Sequence, residues 1–165
     1  MHRVHRALLR SVAVITAVPL GACADSPNVQ LGKAIYTNDL QRAKEIVAKN
    51  PTLKCQALFT AISEDNARAL TDFLYDADPN NCRYDTNRKT PLMQAAVEGR
   101  DDLIPILLSM NADVSLRDDQ GWTAVDWAIY GRNPETANYL IKHGGHQTSS
   151  GQTVRCVSGC PLPPF

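Results

Sequence analysis

The five cysteines, at positions 23, 55, 82, 156 and 160, are the residues of this 165-residue chain with the widest chemical range. A thiol pair can do redox chemistry, and cysteine with histidine can hold zinc. Cys156 and Cys160 stand closest together, in Cys-Val-Ser-Gly-Cys-Pro, but their three-residue gap is not the two-residue gap of a C-x-x-C redox motif. Only His143 and His146 lie near them in sequence as further ligands. A stapled structural loop is the simpler reading, and a redox or metal site the competing one. Elsewhere there is no G-x-S-x-G elbow, no H-E-x-x-H helix and no P-loop. Asp and Glu are scattered where helix caps and solvated faces explain them better than a catalytic carboxylate pair does. No catalytic residue, cofactor or metal is expected, and the chain is not expected to be an enzyme.

The elements that position these residues are clearest in the stretch 90–114. Thr90-Pro91-Leu92 opens a helix with proline in the first turn, where its missing N–H has no intrahelical partner to lose. Ala95, Ala96 and Val97 keep that helix thin and Gly99 ends it. Asp101 or Asp102 is placed to cap a second helix, whose apolar face of Leu103, Ile104, Ile106, Leu107 and Leu108 is too broad to stay uncovered. Pro105 falls in the first turn of that helix, where it is tolerated, and Asn111 supplies a left-handed stop.

This unit resembles an ankyrin repeat, a module of about 33 residues with a T-P-L-H-x-A core in which Met93 here replaces the histidine. Thr123-Ala124-Val125 begins the pattern again 33 positions after Thr90, with Leu140-Ile141 where Leu107-Leu108 stood. The resemblance implies an all-α solenoid of about four stacked repeats with finger loops. A degenerate first repeat, 31–55, has Leu31, Ala34 and Ile35 on one helix and Leu40, Ala43, Ile46 and Val47 on the next. The second, 56–85, runs through Ala57, Leu58, Phe59, Ala61 and Ile62 to Leu70, Phe73 and Leu74. The third covers 86–118 and the fourth 119–145, where Asn133-Pro134 reads as cap and first turn. Four units exceed the three or so such a stack needs, and the end repeats are expected to fray first.

Two loops depart from the pattern. The loop from Ala77 to Thr90 is two residues longer than that from Ala112 to Thr123, and carries Cys82, Arg83, Tyr84 and Arg88. Arg88 also occupies the place that glycine holds in Gly121, two before the threonine. A non-glycine residue costs roughly 1–2 kcal/mol in the left-handed region, so Asn87 is expected to take the positive φ there, or the finger to be reshaped. In the fourth repeat Gly131 sits one place earlier than Gly99 does, which predicts a slightly altered inner turn.

Residues 1–22 have the character of a secretory leader: Arg3, Arg6 and Arg10, then an apolar run from Ser11 to Pro19, with no acid before Asp25. Leu20-Gly21-Ala22-Cys23 resembles the lipobox of bacterial lipoproteins, which implies lipidation of Cys23. Ala24 after the cysteine is similar to enterobacterial sorting toward the outer membrane, facing the periplasm. An ordinary signal peptide cut near Ala22 or Ala24 is the competing reading. Residues 23–30 are expected to form a tether. Without the leader, Lys+Arg falls from 17 to 14 against 17 Asp+Glu, a net charge of −3, so nucleic acid is not an expected partner.

With Cys23 lipidated, four cysteines remain in an oxidising compartment, allowing three pairings. Cys55, just before the second repeat, and Cys82, in the next finger, fall on one edge of the stack, so Cys55–Cys82 is geometrically reasonable. Cys156–Cys160 would then staple the tail 146–165 as a strap on the last repeat. Four free thiols are the alternative.

Ankyrin repeats usually hold partners with finger tips and with the exposed side of the first helices. Carried over by position, that implies Thr86, Asn87 and Lys89 with Val97 and Glu98, and Asp119, Gln120 and Trp122 with Tyr130. Trp122 is the sharpest of these, since tryptophan is enriched at binding hot spots; packing against a neighbouring finger or the tail is the equal alternative. Trp127, on the inner side of its helix, is expected in the core. The function implied is a monomeric protein-binding scaffold touching the membrane only through its lipid anchor. An immunity or inhibitor protein for a periplasmic toxin, or an envelope redox factor using Cys156 and Cys160, are the alternatives.

Overall fold

In the computed structural model, residues 26–75 and 77–148 are described. They form eight helices in four antiparallel pairs: α1 (Pro27–Tyr36) with α2 (Leu40–Lys49), α3 (Lys54–Ser63) with α4 (Ala67–Leu74), α5 (Pro91–Glu98) with α6 (Leu103–Ser109), and α7 (Ala124–Tyr130) with α8 (Pro134–Lys142). A short 3-10 turn, Pro51–Leu53, leads into α3. The first helices pack in a row, α1 on α3 on α5 on α7, and α4 packs on α6 in the layer behind them. Between the layers lies one continuous core, with Leu31, Leu58, Leu70, Leu92, Leu107, Val125 and Leu140 fully buried. The expected all-α repeat stack is the observed fold.

The repeat is more regular in space than in sequence. Backbone N–H groups of Asp39, Asn66, Arg100 and Asn133 donate to the carbonyls of Ala34, Ala61, Ala95 and Ala128 at 2.8–2.9 Å, closing the same inner turn four times. The residue before each donor is left-handed: Asn38, Asp65, Gly99 and Arg132, with φ of 58, 53, 65 and 61°. The fourth turn is therefore not altered as expected; Arg132 takes the strained position and Gly131, at φ −70°, does not. Gly131 is instead required by close approach, since a Cβ there would lie 2.2 Å from the Val97 carbonyl oxygen of the preceding repeat.

Each inner turn after the first also reaches back one repeat. Asn66 Nδ2 donates to the Ile35 carbonyl at 3.2 Å, Arg100 Nη2 to Ser63 at 2.7 Å, and Asn133 Nδ2 to both Ala96 and Val97 at 3.0 Å. These are the carbonyls that a helix end leaves without intrahelical partners, so stacking one repeat caps the one before it. The role has a consequence for Asn133: expected as the cap of α8, it makes no side-chain bond to that helix. The expected Asp101 or Asp102 cap of α6 is likewise absent, because Asp101 instead accepts from the Thr136 hydroxyl on α8. Thr90 and Thr123 do cap α5 and α7, accepting from the N–H of Met93 at 3.3 Å and Asp126 at 3.4 Å.

At the N-terminal edge, α1 begins at Pro27, so residues 27–30, expected as tether, are helical. At the other edge the chain crosses the start of α7. The Thr123 hydroxyl donates to the His146 carbonyl at 2.8 Å, and Thr148 donates from its N–H and hydroxyl to the buried Asp126 carboxylate at 3.0 and 2.8 Å. Asp126 stands where the motif has histidine, and its acceptor-only oxygens receive three donors, the Thr123 N–H and the N–H and hydroxyl of Thr148.

Candidate functional site

The side of the first-helix row that meets the fingers is built from two unlike loops. In the finger of residues 77–90, Cys82 is bonded to Cys55 in the first turn of α3, with Cα atoms 5.3 Å apart. Two residues on, Tyr84 lies stacked on Phe59 of α3, ring centroids 4.7 Å apart. Tyr84 and Lys89 exchange both backbone hydrogen bonds at 2.9 Å, so residues 85–88 form the tip of a minimal hairpin. Asp85 and Arg88 carry its positive φ values of 61 and 57°. The finger is thus reshaped, and Arg88 itself, not Asn87, adopts the left-handed conformation.

In the finger of residues 112–123, a buried carboxylate does the organising. Asp118 Oδ1 accepts from the N–H of Gln120 and of Trp122 at 2.9 Å, and its Oδ2 accepts from Trp127 Nε1 at 2.8 Å. Trp122 and Trp127 are each 6% exposed, with centroids 4.9 Å apart. Tyr130, 58% exposed, sets its ring edge-on against both, at 5.6 and 5.5 Å. Trp122 as an accessible contact residue is therefore corrected: it is buried, with its backbone N–H and ring taken up by Asp118, Trp127 and Tyr130 of its own repeat where the alternative had a neighbouring finger or the tail. Trp127 is in the core as expected.

The two fingers are joined. Asp119 N–H donates to the Asn87 carbonyl at 3.0 Å and Gln120 Nε2 to Asn87 Oδ1 at 3.2 Å. Lys89 lies over the Trp127 ring, 4.6 Å from its centroid, and pairs with Asp85 at 3.0 Å. A cation over an indole face is attracted by the ring quadrupole, so Lys89 ties the first finger to the Trp127 ring of the next repeat.

Of the residues singled out in the sequence, the structure brings Asn87, Lys89, Asp119, Gln120 and Tyr130 into this one surface, with Trp122 buried beneath it and Thr86 exposed at the hairpin tip. Val97 is half-buried at the end of α5. Glu98 belongs to a separate network at the inner turn, bonded to Arg100 Nε at 3.2 Å and to the Ser63 hydroxyl at 3.2 Å. Cys23, Cys156 and Cys160 lie outside the described residues. Among the described residues, no cluster of three His, Cys, Asp or Glu side chains could hold a metal, and His143 is engaged with the Tyr139 carbonyl at 2.8 Å.

Two features of the site escaped sequence reading. Asp118 is one of two adjacent aspartates, and nothing in the pair says which is buried. Tyr36, Ser63, Val97 and Tyr130 share one place in successive first helices, two residues after the Ala34, Ala61, Ala95 and Ala128 turn acceptors. That register was available from the helix pattern, and it puts exposed tyrosines at both ends of the row, Tyr36 being 75% exposed.

Comparison with known proteins bears on what such a surface does. The family model described as "Ankyrin repeats (3 copies)" matches residues 31–118 and again 58–152. The chain is an ankyrin-repeat protein. It is 34% identical over 93 residues to "Ankyrin repeat and SAM domain-containing protein 6" of Rattus norvegicus, a match covering 55% of this chain but 10% of the relative. It is 28% identical over 95 residues to the "Notch-regulated ankyrin repeat-containing protein" of Xenopus tropicalis, covering 54% of this chain and 82% of that one. The Homo sapiens counterpart is 27% identical over 94 residues, covering 54% and 81%. As a member of this family, the ankyrin-repeat chain is a non-enzymatic protein-interaction scaffold.

Proposed function

We propose that this ankyrin-repeat protein is an exported lipoprotein, anchored through Cys23 and facing the periplasm from the outer membrane, which holds a protein partner on the face shared by its fingers and first helices. The observation that carries the binding reading is Tyr130: a half-exposed phenol seated on two buried indoles and flanked by the Lys89 finger. A rigid aromatic with its polar end in water loses little side-chain freedom on binding, and binding energy concentrates on such residues. The basic leader, the apolar run and Leu20-Gly21-Ala22-Cys23 support export and lipidation. The Cys55–Cys82 bond is in keeping with an oxidising compartment.

A photo-reactive amino acid placed in turn at Thr86, Tyr130 and Tyr75, in cells producing the full chain, tests the binding reading. Tyr75, 86% exposed at the end of α4, is the control in the outer layer. One protein cross-linked from positions 86 and 130 and not from 75 is expected; equal cross-linking from all three would overturn the assigned face. Fatty-acid labelling abolished by Cys23→Ser is the expected result for the anchor, and unchanged or absent labelling would contradict it.

A further inference from the structure

Charge is divided sharply along the ankyrin stack. Residues 26–54 carry five Lys and Arg against two acids, a net +3, whereas residues 55–148 carry eight against fourteen, a net −6. The basic share sits on the terminal repeat. Arg42 and Lys49 are exposed and seven residues apart on α2, two helical turns, and so share one face. Lys54 follows at the start of α3. None of these three forms an ion pair among the described residues, whereas Lys44, on another side of α2, is taken by Asp72 of α4 at 3.0 Å. The one acid between them, Glu45, accepts from Gln41.

We infer that this basic face of the first repeat docks on anionic phospholipid headgroups and so sets how the ankyrin stack stands on its membrane. The inference rests on the proposed lipid anchor at Cys23. Two residues, Ala24 and Asp25, separate Cys23 from Ser26, and the three steps between them span at most about 11 Å, close to one Debye length at moderate salt. The terminal repeat is thereby confined within the electrostatic reach of the headgroups. A basic residue beside an anionic leaflet gains about fivefold in binding, and the acidic remainder of the stack is repelled from the same surface. Attraction at one end and repulsion along the rest together tilt the fingers and Tyr130 outward, toward a partner in solution.

Full-length protein, processed in cells and purified, is reconstituted on vesicles of phosphatidylcholine alone or of an equal mixture with phosphatidylglycerol. Amide exchange is then compared between residues 40–54 and 85–90. Slowing by severalfold at 40–54 on the mixed vesicles alone is expected, lost in high salt and in Arg42→Glu/Lys49→Glu, with 85–90 unchanged. Equal exchange at 40–54 on both lipids, or protection indifferent to the charge reversals, would overturn the inference. Sedimentation with vesicles in high salt reports the anchor separately. If the protein is released there, the anchor reading fails, and the basic face is then decided by low-salt sedimentation: binding to mixed but not neutral vesicles, lost in the charge-reversal variant, upholds it, and anything else rejects it.

Discussion

The fingers before the third and fourth repeats fill equivalent places and meet at their tips, yet different forces hold them. In residues 77–90 the chain is tied by the Cys55–Cys82 bond, stacked through Tyr84 on Phe59, and bent through two non-glycine residues at positive φ. In residues 112–123 the described contacts are non-covalent, and one buried carboxylate receives three N–H groups beneath a pair of indoles. The first finger is cross-linked and strained; the second is densely bonded and, with Gly121 at φ 80°, relaxed. A longer loop has more freedom to lose on folding, and a covalent tie removes much of that freedom in the unfolded chain. The shorter loop needs no such tie because its carboxylate and rings already over-determine its shape.

Breaking the second finger has the largest expected effect. Asp118→Ala leaves Trp127 Nε1 and the Trp122 N–H buried without an acceptor, and should cost about 3–5 kcal/mol in urea unfolding. Asp118→Asn, which keeps one acceptor oxygen, should cost less; equal losses would mean the carboxylate acts only by filling space. For the first finger, Cys55→Ser/Cys82→Ser opens a cross-link with a sequence separation of 27, a loss of about 3.5 kcal/mol in the chain-entropy account. Adding reductant to the wild type should reproduce that loss, with faster amide exchange at 77–90 and unchanged exchange at 112–123. Arg88→Gly should act the other way, stabilising by up to about 1 kcal/mol as it relieves the left-handed strain, offset by the entropy of the added glycine.

The smallest effect concerns Asp113, at the root of the second finger. Hydrogen bonds from the Ser115 hydroxyl and then its backbone N–H hold this carboxyl below its ordinary value of 3.8. A depressed folded pKa means the contribution is complete above the unfolded value and is lost as pH falls through the lowered one. Stability should therefore dip slightly more in the wild type than in Asp113→Asn as pH drops below about 4. Identical acid limbs in the two proteins would remove Asp113 from the account.

The repeat frame was legible because helix faces and caps are periodic: Thr90 and Thr123, thirty-three apart, sit at equivalent helix starts. Cys55 and Cys82 could be paired in prospect because the repeat period alone placed them on one edge. What could not be read was which polar residue turns inward. Asn133 looks like a cap, and its amide instead serves the helix ends of the preceding repeat, a choice made by stacking and not by local sequence. Trp122 on a loop looks accessible until Asp118 is known to take its N–H and Trp127 its ring face. Arg88 and Arg132 in left-handed conformations contradict residue preference, because the repeat geometry fixes the backbone there whatever the side chain.

The central claim is that the joined fingers and the tyrosine beside them form the binding surface. Its most direct test is the affinity of the protein cross-linked from position 130 for Tyr130→Ala, measured by calorimetry alongside the thermal midpoint. Because Tyr130 is 58% exposed and forms only the rim of the indole pair, the account predicts at least a tenfold loss of affinity with a nearly unchanged midpoint. Wild-type affinity in Tyr130→Ala, or an affinity loss matched by a collapse in stability, would contradict it.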